Sequence, residues 1–289
     1  MVATTDNATP PTGSATGTGR TAAPAHRTTG LRVLRSEWIK TRSLRSTWIT
    51  LAALALVIVG FGVLAAMAAG GDITTPNGGP PPGVAGRGGP MTTVLAGANV
   101  AVLLVAVFGS VVGAREFASG LIRTTFAAVP RRLPVLWSKL LTFVAVVLPV
   151  VLAGVIVVFF AGMSVLDRAG AATLSWSDDG VVRSLFGHAY YIVGLGLIGL
   201  ALGILLRGTA AAIGTTIGAV LFLPALATAL LPSDWSSVLK YLPSNAGNAF
   251  TALTTTGDVL TPGQGFAVFT GWVVLAVVGA VIALVRRDA

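Results

Sequence analysis

The sequence contains no cysteine, which excludes disulfides, thiol nucleophiles and Cys-ligated metals. Charge is scarce. Asp, Glu, Lys and Arg make up 10% of the 289 residues, against roughly 25% in an average globular protein. Hydrophobic residues supply 54%, so too little polar surface remains to cover a soluble body of this size. Histidine occurs only as His26 and His188, and neither H-E-x-x-H nor G-x-S-x-G is present. A Ser–His hydrolase would have only His188 to build on. The phosphate loop G-x-x-x-x-G-K-[ST] is missing as well, and none of Lys40, Lys139 and Lys240 follows a glycine. The chain therefore has no ATP-cradling loop of the usual kind.

What is present is a series of long uncharged runs: Ser46–Gly71, Gly88–Ala114, Leu140–Leu166, Ser184–Leu206, Gly208–Ser233 and Val259–Val285. About 20 apolar residues in helix cross a ~30 Å hydrocarbon core, so each run is long enough for one crossing. The fourth and fifth are separated only by Arg207. As one helix they would reach about 75 Å at ~1.5 Å per residue, so the chain must turn at Arg207-Gly208. The expected fold is an all-α membrane protein of six transmembrane helices, at about 47–70, 91–114, 140–163, 185–206, 209–231 and 265–285. Residues 1–30, rich in Thr, Ala, Pro and Gly, are expected to form a disordered tail ahead of a six-span domain over 31–289.

Net charge is +9, but the basic residues are spread between apolar runs. Topology accounts for them better than a nucleic-acid partner does. If the N-terminus is cytoplasmic, fifteen of the 19 Lys and Arg fall on the cytoplasmic side, as short-loop basic residues do. Asp72, Asp167, Asp178, Asp179, Asp234 and Asp258 then lie outside. Both termini are expected in the cytoplasm.

Leu31–Trp48 is basic and moderately amphipathic. Leu31, Leu34, Trp38 and Thr41 share one helical face, and Arg32, Ser36, Lys40 and Ser43 the other. An interfacial helix over 31–45 is expected, lying flat in the headgroups. Residues 115–139 form a basic cytoplasmic segment between spans two and three, expected to be a short helix ended by Pro130 and then a lead-in to span three. Its one acid, Glu116, is offered Arg115, Arg123 or a partner's arginine. The loop 232–264 is expected outside, with a short helix through Trp235, Val238, Leu239 and Leu242 broken at Pro243.

Polar groups inside the runs are few. Asn99 is the intramembrane polar candidate, with packing as its bland alternative. Gly109-x-x-x-Gly113, Gly199-x-x-x-Gly203 and Gly214-x-x-x-Gly218 have the spacing of close helix contacts. Gly194-x-Gly196-x-x-Gly199 has dinucleotide-loop spacing, but it lies mid-run with no strand before it and reads as packing. Pro149 and Pro224 are candidate kinks. No Asp, Glu, Lys or Arg lies within the runs, which argues against an ion-coupled carrier.

The run Glu116-Phe117-x-x-Gly120-x-Ile122-Arg123, followed by Pro130-x-Arg132 and Lys139, resembles the segment after span two in membrane subunits of ATP-binding-cassette exporters of the second type. Ser36-Glu37-Trp38-x-Lys40 before span one and Lys240-Tyr241-Leu242-Pro243 before the last span are similar to that family too. The resemblance runs from Leu31 almost to the end of the chain. It implies a permease subunit, not itself an enzyme, that exports an apolar or amphipathic substrate such as a lipid, drug or antibiotic. It implies a separate cytoplasmic ATPase that binds the ATP, with no cofactor in this chain. It also implies a second permease subunit, identical or related, in a bacterial cytoplasmic membrane. The Ala, Gly, Val and Arg bias points to a GC-rich genome. Carried over by position, Glu116, Gly120, Arg123 and Thr124 would be ATPase-coupling residues, with Arg35 and Lys40 near the same interface. The alternative is an ion-coupled carrier or a membrane scaffold that works without an ATPase.

Overall fold

The structure is a computed structural model, and it describes residues 30–73, 89–118, 120, 132–230, 236–254 and 259–286. Among the described residues every regular element is helical. In chain order they are α1 (Gly30–Ser43), α2 (Arg45–Ala69), α3 (Pro90–Val94), α4 (Ala96–Ala118), α5 (Arg132–Arg168) and α6 (Val181–Leu206). Then follow α7 (Thr209–Ile217), a π-helical turn (Gly218–Phe222), α8 (Leu223–Leu230), α9 (Ser236–Leu239), α10 (Pro243–Thr251) and α11 (Pro262–Arg286). Six helices are long and apolar enough to cross a membrane: α2, α4, α5, α6, the α7–α8 composite, and α11. The chain is an all-α, multi-pass membrane protein.

The turn expected at Arg207-Gly208 is there. Arg207 is left-handed at φ 55°, the one non-glycine residue with positive φ among those described, and its N–H bonds to Gly203 O at 3.1 Å. A C-cap of this kind usually takes Gly because a side chain strains it. Arg207 holds it with its guanidinium over the Phe117 ring, 5.3 Å from the centroid.

The expected helix ends need adjustment. α5 has 37 residues, about 56 Å at ~1.5 Å per residue, so it overruns the apolar stretch at both ends and passes Pro149 unbroken. Residues 115–118 are the last turn of α4, and 132–139 the first turns of α5. The remainder of the basic segment, apart from Gly120, lies outside the described residues, as does the tail 1–29. In span five the disturbance is a π turn directly before Pro224. Proline has no N–H for the carbonyl one turn back, and its ring crowds that carbonyl; the wider turn relieves both. In the loop after span five, Pro243 does more than end a helix. It occupies the first turn of α10, where its missing N–H costs nothing. α10 buries Ala246, Ala249 and Phe250 against α6 and α11, rather than lying on the surface.

The frame of the bundle is the pair α4 and α6, the most extensive helix contact in the structure. Lipid tails are as apolar as leucine, so membrane helices associate by close backbone approach and polar glue. Gly109 faces the Gly196 carbonyl, and Gly113 faces the Leu200 carbonyl, so closely that a methyl group at either would overlap it. Gly199 and Gly203 meet α4 from the other side. Two of the three small-residue motifs are thus consumed inside one chain. Gly214 and Gly218 have open space in front of them. Buried Ser110 adds glue: its hydroxyl lies 3.1 Å from Thr216 Oγ1, so one of the two donates across the contact while the other donates to its own helix, Ser110 to Ala106 O or Thr216 to Ala212 O.

Gly109→Ala and Gly113→Ala should each destabilise the purified protein by at least about 1–3 kcal/mol, the usual cost of overpacking. Gly214→Ala should be neutral or stabilising by up to ~1 kcal/mol through helix propensity. Melting temperatures in one detergent check the order.

Candidate functional site

Four charged side chains from three helices meet at one end of the bundle. α1 contributes Glu37 and Lys40, three residues apart and so neighbours on one helix face. Glu116 comes from the last turn of α4, and Lys139 from the early turns of α5. Lys40 Nζ lies 3.0 Å from Glu37 Oε1 and 2.8 Å from Glu116 Oε1. Lys139 Nζ lies 3.1 Å from Glu37 Oε2 and 3.1 Å from Glu116 Oε1. The contacts close a ring in which acids and ammoniums alternate, and the set is neutral. The side chains of Glu37, Lys139 and Glu116 are only 7%, 9% and 10% exposed, whereas that of Lys40 is 48% exposed.

The arrangement follows from the surroundings. A buried charge is tolerated only when paired and hydrogen-bonded. Each ammonium here has three donors and serves two carboxylates. Glu116 stands at a helix C-terminus, where the helix dipole disfavours an acid. Its two lysine partners offset that field. Burial pushes the Lys40 pKa down, but the hydrogen bond to Glu116 and the charges of Glu37 and Glu116 outweigh it and hold the value above the usual 10.5. Lys40's contribution to stability is therefore complete below pH 10.5 and is lost only as pH rises through the raised value.

Beside the ring lies a cavity of about 340 Å³, lined by the four charged residues, by Thr47 and Thr50 of α2, by Phe108 of α4, and by Thr142 and Phe143 of α5. Thr142 is buried, and its hydroxyl has no hydrogen-bond partner among the described residues. The ring fastens the short helix α1 to the ends of two spans, α4 and α5, that bracket residues 119–131.

Of the residues singled out in the sequence, Lys40 and Glu116 are brought into contact. Gly120, two residues past the end of α4, is left-handed at φ 70°, its N–H bonded to Phe117 O at 3.2 Å. Arg35 is exposed on the outward side of α1. Arg123 and Thr124 lie outside the described residues. Asn99 is elsewhere: it is exposed towards the opposite end of α4, at a separate cavity of about 370 Å³ shared with His188 and Asn248. His188 Nδ1 is 2.8 Å from Ser184 O.

The face of α1 differs from the one drawn from the sequence. Its buried positions are Val33 and Glu37, whereas Leu31 and Trp38 are exposed. A helical wheel sorts an acid onto the polar side, but here the acid points inward because two lysines await it. For Glu116 the sequence suggested arginines; the structure places Lys40 and Lys139 beside it, and Arg123 lies outside the described residues. Glu37 and Lys139 were not chosen as site residues, though a signal existed. Glu37 and Glu116 are the lone acids of two basic segments, and two of the chain's three lysines stand in those same segments.

No family model matches the chain, and no curated protein matches it.

Lys139→Met would leave two buried carboxylates sharing the half-exposed Lys40. It should destabilise the protein by about 3–5 kcal/mol, the cost of breaking a buried pair. Lys40→Met should cost about 1 kcal/mol or less, as exposed pairs do. Adding Glu37→Gln to Lys139→Met should recover part of the loss. Equal melting temperatures for the two single variants would contradict the ring.

Proposed function

We propose that the chain is the membrane subunit of an ATP-driven exporter, worked by a separate cytoplasmic ATPase that docks on residues 115–131. The observation that carries this reading is the charge ring. It ties α1, α4 and α5 together at the end of the bundle from which the basic segment projects. A push on that segment acts on the ends of two spans at once, and the ring passes it to α1. The resemblance of Glu116–Lys139 to the coupling segment of exporters of the second type supports the same reading, as does the excess of basic residues on this side. The ATP is bound by the partner, since the chain itself lacks a phosphate loop. A second six-span subunit completes the transporter in a bacterial cytoplasmic membrane, and the cargo is apolar or amphipathic.

The absence of cysteine makes orientation directly testable. A single cysteine at Arg123 should react with a membrane-impermeant maleimide only after the cells are permeabilised; labelling of intact cells would overturn the assignment.

Docking is tested by co-expressing the chain with an ATP-binding-cassette ATPase from the same genome. Pull-down should be lost on deleting Glu116–Thr125 while the chain still inserts. Lys139→Met should keep the pull-down yet lower the chain's effect on the ATPase's hydrolysis rate severalfold. Unchanged pull-down by the deletion would sink the proposal.

A further inference from the structure

At the end of the bundle away from the charge ring, α5, α6 and α11 part to leave an apolar groove of about 790 Å³. Leu148 and Leu152 of α5 form one wall, Tyr190 and Leu197 of α6 the floor, and Phe266 of α11 the other wall. Phe266 is half exposed, so the groove opens on the outer face of spans that the surrounding lipid must contact. From Arg183 to Leu197 along α6 is about 21 Å at ~1.5 Å per residue. One leaflet's share of a ~30 Å hydrocarbon core is about 15 Å, so the groove is longer than one leaflet is deep.

A single cation marks its end. Arg183 lies in the first turn of α6 and lines the groove mouth. Its Nη2 donates to Ala252 O at 3.2 Å and Leu253 O at 3.3 Å, which anchors the guanidinium to the start of the loop after α10. No carboxylate among the described residues pairs with it. Nε and Nη1 make no hydrogen bond among the described residues, and a guanidinium fork with free donors suits a phosphate. The N-terminus of α6 carries no side-chain cap, and its dipole adds positive potential at the same place.

We infer that this groove holds one acyl chain of a phospholipid whose phosphate is bound by Arg183. A fixed and unpaired positive charge favours a headgroup that lacks a cation of its own, so the occupant is an anionic phospholipid rather than a zwitterionic one. The site needs only a bilayer around the bundle. It stands or falls independently of the ATPase.

The test is native mass spectrometry of the full chain, delipidated in detergent and offered equimolar phosphatidylglycerol and phosphatidylcholine of matched chains. The wild type should retain phosphatidylglycerol in preference by roughly tenfold, the scale of one charge-assisted hydrogen bond. Arg183→Gln should bring the ratio close to parity, and Arg183→Lys should keep part of it. Arg168→Gln, which removes a cation at the same end of the bundle but outside the groove, should leave the ratio unchanged. Filling the groove with Leu148→Trp or Leu152→Trp should reduce retention of both lipids. An unchanged ratio in Arg183→Gln overturns the inference by itself, as does a wild type that shows no preference.

Discussion

A charge withdrawn from water must find its opposite within a few ångströms, and this chain withdraws three fully and a fourth by half at one place. That constraint shapes the whole end of the bundle. Glu37, Glu116 and Lys139 are too buried to be left unpaired, so α1, α4 and α5 can take only the relative positions that bring the four groups together. An apolar contact tolerates sliding. A closed ring of alternating charges does not, because a shift of one helical turn on α1 carries Glu37 and Lys40 about 5.4 Å out of reach. The ring therefore sets the register of a helix that would otherwise lie loosely on the bundle.

The frame to which the ring is attached is rigid for a different reason. Glycines on α4 and α6 let backbone approach backbone, and the Ser110–Thr216 pair pins span five to the same face. Dispersion at such short separations holds helices together where the hydrophobic effect supplies no drive. The region between α5, α6 and α11 lacks that closeness and is bridged by aromatic rings. Tyr190 and Phe266 stand 4.7 Å apart between centroids. The bundle is thus tight on one side of α6 and open to lipid on the other.

Most of this frame was legible in the sequence. Six runs, their lengths and the turn at Arg207 follow from hydropathy and from the reach of a helix. The α4–α6 contact was legible only as a spacing of glycines, because a pattern says that a helix face is small but not what covers it. Gly214 and Gly218 carry the same signature and are covered by nothing among the described residues. The charge ring was half legible. Lys40 and Glu116 stood out by position, while Glu37 was given no face on the helical wheel and Lys139 was read only as the last residue of the basic segment before span three. α10 was missed because Pro243 was taken only as a terminator, when proline both ends one helix and opens the next.

The ring also bears on why charges are used at all at this point. Replacing a buried ion pair by well-packed apolar groups is often neutral or stabilising, so stability alone does not explain four buried or half-buried charges. Near the headgroups, an apolar α1 could exchange its contact with the bundle for one with lipid at little cost. An ionic α1 has no such exchange, because lipid tails offer Glu37 and Lys139 no partners. Lys40 is the exception, being half exposed. Water can compete for its ammonium while the other three stay enclosed. The ring therefore has one member at which it can open and three that resist.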